Sequence, residues 1–363
     1  MRAIGLMSGT SLDGIDVALV ETDGETAAPG PAATYPYAEA ERALLVRALD
    51  AARTLADRAA RPGLLAEAEA MLTARHEAAV RDFCAAHGYA LDRIDVVGFH
   101  GQTVLHRPER RLTIQLGDGA RLARALAIPV VHDFRAADVA AGGQGAPLVP
   151  VFHRALVRAL GGTGPVAVLN IGGVANISYI DGETLIACDT GPGNALLDDF
   201  MARRTGKPLD RDGACAARGR ADKDWLARAL AQPFFEGAPP KSLDRDDFAA
   251  LSVEAMTTED GAATLAAFTA RGVARVVPLL PRAPVRWIVV GGGAHNPVLM
   301  ELLAEALAPA PVVTGASLGW NGDAIEAQAF AFLAVRSLRG LPLTYPATTG
   351  VPAPLCGGVL ARP

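Results

Sequence analysis

The sequence predicts a mixed α/β fold in two lobes, and three observations point there. At 363 residues the chain exceeds the size at which one hydrophobic core usually keeps growing. Short apolar runs of strand length alternate with stretches of helical period. Both halves open alike, on an apolar strand, a Gly-containing turn and a second apolar strand, as a duplicated α/β unit would.

Composition narrows the function classes. Half of the residues are hydrophobic and a fifth charged, a globular balance with none of the charge-rich signature of disorder. A formal charge of -5 gives no broad positive field for nucleic acid or anionic lipid. The start, MRAIGLMSGTSLDGID, is too polar for a secretory signal. No run approaches the roughly 18 apolar residues of a membrane span, so a cytoplasmic protein is expected. Cys84, Cys188, Cys215 and Cys356 form no C-x-x-C pair and read as free thiols.

Taken in order, Ala3–Met7 and Ile15–Glu21 form the opening hairpin around a polar turn. Residues 41–88 carry two helices, split at Pro62-Gly63 and closed by Gly88. Strands follow at Ile94–Phe99, Leu112–Leu116 and Ile128–Val131, with a helix around Arg121–Leu126. Residues 1–132 make the first lobe and 133–340 the second. The second lobe opens on strands Val166–Ile171, Val174–Ile180 and Thr184–Cys188. Helices near Asn194–Arg204, Asp224–Ala231 and Ala262–Leu280 come next, then strand Arg286–Val290 and helices at Asn296–Leu307 and Asp323–Arg339. The Pro- and Gly-rich tail, 341–363, either rejoins the first lobe or wraps the surface.

Four segments carry candidate chemistry. The turn Ser8-Gly9-Thr10-Ser11-Leu12-Asp13-Gly14-Ile15-Asp16 can turn successive amides and hydroxyls toward phosphate, and Asp13 and Asp16 suit Mg²⁺ beside it; the alternative is a plain hairpin turn. Asn170, Gly172 and Gly173, in LNIGGVANIS, can clasp phosphates from the second lobe, or simply link two strands. Gly291, Gly292, Gly293 and Asn296 lie where a strand runs into a helix, a place for a base or ribose. Neither G-x-G-x-x-G nor a Walker A sequence is present, which excludes P-loop chemistry. Asp189, in Asp189-Thr190-Gly191-Pro192-Gly193-Asn194, reads as a strand-end carboxylate fit for general-base work, or as a helix N-cap.

A polar cluster, His100, Gln102 and Thr103, follows one strand, and His132 to Arg135 follows another; both could line a sugar pocket. Arg135 could fork onto a substrate carboxylate or pair with Asp133 or Asp138. Glu326 is an acid in a mostly apolar helix, facing either solvent or substrate.

In order along the chain, MSGTSLDGID, HGQTVLHRP, HDFRAADVAAGGQGAPL, LNIGGVANIS, DTGPGN, VVGGGAHN and DAIEAQAFAFLA closely resemble the bacterial anhydro-N-acetylmuramic acid kinase family, over nearly the whole length. The resemblance implies the two-lobed actin-like ATPase fold of the actin/hexokinase/heat-shock-chaperone superfamily: duplicated ribonuclease H-like domains with an interlobe cleft, hinged over ATP. It implies that Gly9 to Asp16 bind ATP phosphates, that Asp189 is the catalytic base, and that Arg135 and Glu326 contact the sugar. Many superfamily relatives place an Asp two residues before their Gly-Thr pair. Met7 stands there in this chain, so the Mg²⁺ role falls to Asp13 or Asp16. The implied reaction consumes ATP, water and 1,6-anhydro-N-acetylmuramic acid and yields ADP and N-acetylmuramic acid 6-phosphate. A homodimer is compatible with the resemblance. An ordinary hexosamine kinase, or a non-enzymatic nucleotide-gated actin- or chaperone-like protein, shares the fold and is the alternative.

Overall fold

The structure is a computed structural model; it describes residues 1–9, 11–244, 247–248 and 250–363. Contacts divide the chain into two compact units, one of Met1–Gly161 with Asp323–Pro363 and one of Gly162–Gly322. This division differs from the one the sequence suggested at 133–161 and 323–340, which belong to the first unit, while the tail 341–363 takes the alternative in which it rejoins that unit.

The chain begins with β1 (Arg2–Ser8), β2 (Gly14–Thr22) and β3 (Ala27–Pro36), followed by α1 (Glu39–Ala52) and α2 (Leu64–His87). The helix α2 ends where expected, on Gly88 in the left-handed region at φ 71°, a conformation that a residue without Cβ adopts freely. Next come β4 (Val96–Arg107), β5 (Leu112–Leu116), α3 (Gly119–Leu126), β6 (Val130–His132), α4 (Ala136–Ala140) and α5 (Pro150–Ala159). The strand β3 was not legible in the sequence, because it carries Pro29 and Pro31. It pairs with β2 alone, at the sheet edge, where a missing amide donor costs no ladder bond.

The second unit runs through β7 (Val166–Ile171), β8 (Val174–Asp181), β9 (Thr184–Pro192), α6 (Ala195–Thr205), α7 (Lys223–Leu230), α8 (Thr258–Ala274), β10 (Arg286–Val290), α9 (Pro297–Ala306) and β11 (Val312–Thr314). The chain then returns to the first unit with α10 (Ile325–Leu338), α11 (Pro346–Thr349) and β12 (Val359–Ala361). In the tail, β12 pairs antiparallel with β6.

The two sheets repeat one plan. In the first unit the order β3-β2-β1-β4-β6 sets two antiparallel pairings beside two parallel ones, with β12 beyond β6 and β5 on β4. In the second, β9-β8-β7-β10-β11 gives the same sequence of directions. The duplicated α/β arrangement expected from the two opening hairpins is therefore present in the strand order itself.

Alternation along β1 and β4 sorts the first unit into layers. Ile4, Leu6, Val97 and Phe99 pack with Leu44, Leu45, Leu65, Leu72 and Phe83 of α1 and α2. The intervening glycines face α10: a Cβ on Gly5 would overlap the Ala327 carbonyl, and one on Gly98 the Phe330 carbonyl. The helix backbone thus lies directly on the sheet, which explains why α10 belongs with strands more than two hundred residues earlier. Substituting alanine at Gly98 should force the helix away and cost about 1–3 kcal/mol, the usual range for overpacking. Chemical denaturation of Gly98→Ala measures this; an unchanged midpoint would mean that the helix does not rest on the strand.

Candidate active site

In the first unit the polar turn between β1 and β2 is braced by side chains. Ser8 Oγ donates to Gln102 Oε1 at 2.6 Å and lies 2.9 Å from the Tyr37 hydroxyl, while Gln102 Nε2 donates to the Gly9 carbonyl at 3.2 Å. Ser11 Oγ donates to Asp13 Oδ1 at 2.7 Å. Leu12 and Ile15 are buried, so what they offer a ligand is backbone, and Leu12 holds φ at 54°. Gly14 is explained by packing, since a Cβ there would press on the Tyr35 carbonyl; above Gly9, by contrast, the nearest atom is Ser11 Oγ at 3.7 Å. Thr10 lies outside the described residues.

Asp16, on β2, accepts a hydrogen bond from Thr34 Oγ1 at 2.6 Å. Burial raises its carboxyl above the ordinary aspartate range against that hydrogen bond, and the charges of Asp13 and Asp323 push the same way. Asp323 was not singled out in the sequence; only the seating of α10 brings it near.

A bulge parts His100, Gln102 and Thr103. The polar cluster does not follow a strand; it lies inside β4, where Leu6 pairs with Phe99 but Ser8 with Gln102, leaving an extra residue on β4. Gly101, at φ 69°, makes this bulge possible. Gln102 is thereby sent to the first turn, and Thr103 Oγ1 accepts from Gln115 at 3.1 Å. His100 meets Arg135 instead: Arg135 Nε and Nη2 both lie 3.1 Å from His100 Nε2, and Nη1 donates to the Gly145 carbonyl at 2.8 Å. Burial first, then the Arg135 charge, holds His100 well below the usual histidine range; a neutral ring can accept from the guanidinium.

The ion-pair alternatives for Arg135 are taken elsewhere. Asp133 is held by Arg58 at 2.6 Å, and Asp138 accepts from the Gly145 amide and the Thr349 hydroxyl, each at 2.6 Å. Glu326 opens α10 on a solvent-reaching face. The atoms around it raise its carboxyl above the ordinary range, Arg135 opposes the shift and Asp16 adds to it; its access to water limits how far that shift goes.

In the second unit three glycine turns converge. The Asn194 amide donates to the Gly172 carbonyl at 2.7 Å and the Ala195 amide to the Gly173 carbonyl at 3.2 Å. A Cβ on Gly193 would overlap the Gly172 carbonyl, and one on Gly291 would meet Asn170 Oδ1 at 2.5 Å. Gly172, Gly173 and Gly292 have nothing nearer than 3.8 Å to an added Cβ, so packing does not account for them. Asn296 caps α9, its Oδ1 accepting from the Leu299 amide at 3.1 Å.

Asp189 lies within β9 rather than at a strand end, because pairing with β8 continues to Pro192 through a bulge. Cross-strand pairing sets Asn170 opposite Asn176 and Asn176 opposite Asp189. The N-cap alternative falls: α6 begins six residues later, and Asp189 Oδ2 accepts from the Leu243 amide at 2.7 Å. Burial raises the Asp189 carboxyl to about 6; the Leu243 amide opposes this, Asp244 adds to it and Lys241 opposes it. Asn176, Asn194, Lys241 and Leu243 were not among the residues picked from sequence, although the first two sat inside the quoted motifs.

A family model described as "Anhydro-N-acetylmuramic acid kinase" matches residues 1–362. Proteins called anhydro-N-acetylmuramic acid kinase from Nitrobacter winogradskyi and Rhodopseudomonas palustris are each 62% identical, over 100% of both chains, and one from Bradyrhizobium diazoefficiens is 61% identical with the same coverage. Among solved structures, a ROK family glucokinase from Streptomyces griseus, in complex with glucose and AMPPNP, aligns over 92% of this chain and 99% of its own, at TM-score 0.41 and 16% identity.

Because the raised carboxyl of Asp16 makes its charged form unfavourable in the folded state, its contribution to stability is present at low pH and lost as pH rises through the raised value. Asp16→Asn should therefore raise the melting temperature of the ligand-free protein at pH 7 to 8, with the gap closing below about pH 4, where the aspartate itself is protonated. Paired thermal melts across that range test it; a variant less stable at pH 7 would contradict the assignment.

Proposed function

The chain belongs to the anhydro-N-acetylmuramic acid kinase family, and from that premise we propose that it uses ATP and water to open 1,6-anhydro-N-acetylmuramic acid and place phosphate on its 6-oxygen, with Asp189 as general base. The observation that carries this reading is the second-unit carboxylate itself. Asp189 is raised to about 6, held at one oxygen, and borne on the strand that runs into one of three converging glycine turns.

The substrate dictates what the base does. The 6-oxygen is bound in the anhydro bridge and has no proton to give, so a base acting on it would have nothing to remove. Asp189 instead takes a proton from water as that oxygen bonds to the anomeric carbon. The bond from the anomeric carbon to the 6-oxygen breaks, the 6-oxygen bonds to the γ-phosphorus, and ADP leaves with the bridging oxygen. The phosphoryl group then fills the place that a general acid has in a glycosidase. A carboxylate near 6 is largely ionised at neutral pH yet still basic enough to help, as general-base efficiency requires.

The remaining residues divide the binding. In the first unit the backbone at Gly9, and in the second those at Gly172, Gly173 and Gly292, carry amides that no Cβ shields, each turn by itself suited to phosphate oxygens. Ser11, Leu12, Asp13, Gly14 and Ile15 complete the first turn, and Asn170, with Gly291 and Gly293, shapes the others. Asn296 acts through the helix it caps. Arg135, kept straight by His100 and the Gly145 carbonyl, forks onto the carboxylate of the muramic acid, and Glu326 accepts from a sugar hydroxyl or amide. Gln102 holds the first turn in place, and Thr103 orients Gln115 beside it.

Asp13 and Asp16 would hold Mg²⁺. Their hard oxygen donors suit it, and a dication relieves the repulsion that Asp16 feels from Asp13 and Asp323. Mg²⁺ typically takes one or two carboxylates and fills its shell with phosphate and water. When bound, Mg²⁺ neutralises charge on the phosphate oxygens.

Three measurements test this. In ¹⁸O-labelled water with ATP and Mg²⁺, the sugar product should gain one phosphate and one labelled oxygen; phosphorylation of N-acetylglucosamine without water uptake would point to an ordinary hexosamine kinase. Asp189→Asn should lower kcat by at least about 10²-fold and leave ATP binding intact, and the wild-type kcat/KM should fall on the acid side of a limb near pH 6, where the base is protonated. Full turnover in the variant would remove Asp189 from the role.

A further inference from the structure

We propose that the segment Lys241-Ser242-Leu243 is a positioning strap for the base: it immobilises Oδ2 of Asp189, leaves Oδ1 as the oxygen that takes the proton from water, and sets a positive charge beside the carboxylate. The inference rests on the reading of Asp189 as the base and adds which atom acts and what holds it.

The strap runs along Asp189 with two hydrogen bonds. The Asp189 amide donates to the Lys241 carbonyl at 2.9 Å, and the Leu243 amide donates to Asp189 Oδ2 at 2.7 Å. The carboxylate is fixed at its root and at one oxygen, while Oδ1 accepts no hydrogen bond among the described residues. A carboxylate bonded at one oxygen keeps a single orientation, and reacting groups held in place are worth orders of magnitude in rate.

The strap is itself anchored. Leu243 packs on the cluster that contains Phe200, Trp225, Phe235, Phe248 and Phe268. Phe235 and Phe248, one before the strap in sequence and one after, stack with centroids 5.6 Å apart, and both lie against Phe268 of α8. Lys241 ties down the other end. Its Nζ donates to the Phe234 carbonyl at 2.8 Å and lies 4.5 Å from the centre of that ring.

Lys241 has no carboxylate within ion-pair distance among the described residues, so its charge acts at longer range. It opposes the rise of the Asp189 carboxyl, which burial drives and Asp244 increases. The remaining titratable neighbour, Cys188, is pushed up to about 12 by burial and stays neutral at working pH. Among the described residues, Asp244 and Lys241 are thus the charges that act on the base.

The test reads the carboxyl apart from the reaction. In ligand-free protein labelled with ¹³C at the aspartate carboxyls, the Asp189 resonance is identified by its loss in Asp189→Asn and followed from pH 4 to 9. Leu243→Pro removes the donating amide, and Lys241→Met removes the charge while keeping an apolar stem on Phe234. Each should move the Asp189 titration upward by about one pH unit or less, the scale of one charge-assisted interaction, and Lys241→Arg should restore it. In turnover, the acid limb of kcat/KM should move with the resonance, and kcat should fall about tenfold or more in Leu243→Pro with KM for ATP unchanged. An Asp189 titration unmoved in folded Lys241→Met, or in Leu243→Pro with native circular dichroism, overturns the proposal. Failure of the wild type to open the anhydro sugar would instead count against the functional reading and leave the titrations to decide the strap.

Discussion

The first unit depends on a helix laid flat on a sheet. Gly5 and Gly98 leave no side chain between the strands and the backbone of α10 at those two points, and the helix answers with small residues, Ala327, Ala331 and Ala334, all fully buried. Close approach of this kind fixes height and rotation together, because a helix in backbone contact has no side-chain cushion to tilt upon. Its first turn is held accordingly, and with it Glu326, which feels Arg135 on one side and Asp16 on the other. The acid's environment is set by two glycines on neighbouring strands.

The two hairpins at equivalent places in the repeated sheets are stiffened by different means. The first is braced by side chains, Ser8, Tyr37 and Gln102, whose bonds all converge on the start of the turn. The second is braced by backbone, with the turn at Pro192–Asn194 closing on Gly172 and Gly173 and a threonine of α8 holding it from below: Thr269 Oγ1 bonds the Pro192 and Gly193 carbonyls at 2.9 and 2.8 Å. A backbone brace leaves no side chain in the way. The three exposed or half-buried glycines Gly172, Gly173 and Gly292 stay open for that reason.

Much of this was legible in the sequence, and what was not has physical causes. Apolar runs flanking glycine announce hairpins because both signals are local, and the pairs 2–8 with 14–22 and 166–171 with 174–181 fell close to where they were expected. The edge strand β3 was hidden by its prolines, which only the finished sheet makes harmless. The bulge in β4 was hidden too, since His100 to Thr103 reads as a polar loop until Gly101 is known to carry the strand through it. The placement of α10 could not be read, because nothing in an alanine-rich helix names the glycines it will lie on. Asp189 was found as a carboxylate beside a Pro-Gly turn, but its partner Leu243 is 54 residues away and offers only a backbone amide, a donor that every residue except proline has.

Each unit carries acids that the fold holds at a cost. Asp16 in the first and Asp189 in the second are raised chiefly by burial, so each makes the ligand-free protein less stable at neutral pH than a neutral side chain would. Other acids in the same chain have a cation beside them: Arg58 with Asp133 and Arg61 with Glu69 lie at 2.6 and 2.7 Å. A cation beside Asp16, a hydroxyl donor at Glu326 and a water at Asp189 would each supply what the protein withholds. Under the proposed roles, binding would recover at Asp16 and Asp189 free energy that the empty fold forgoes.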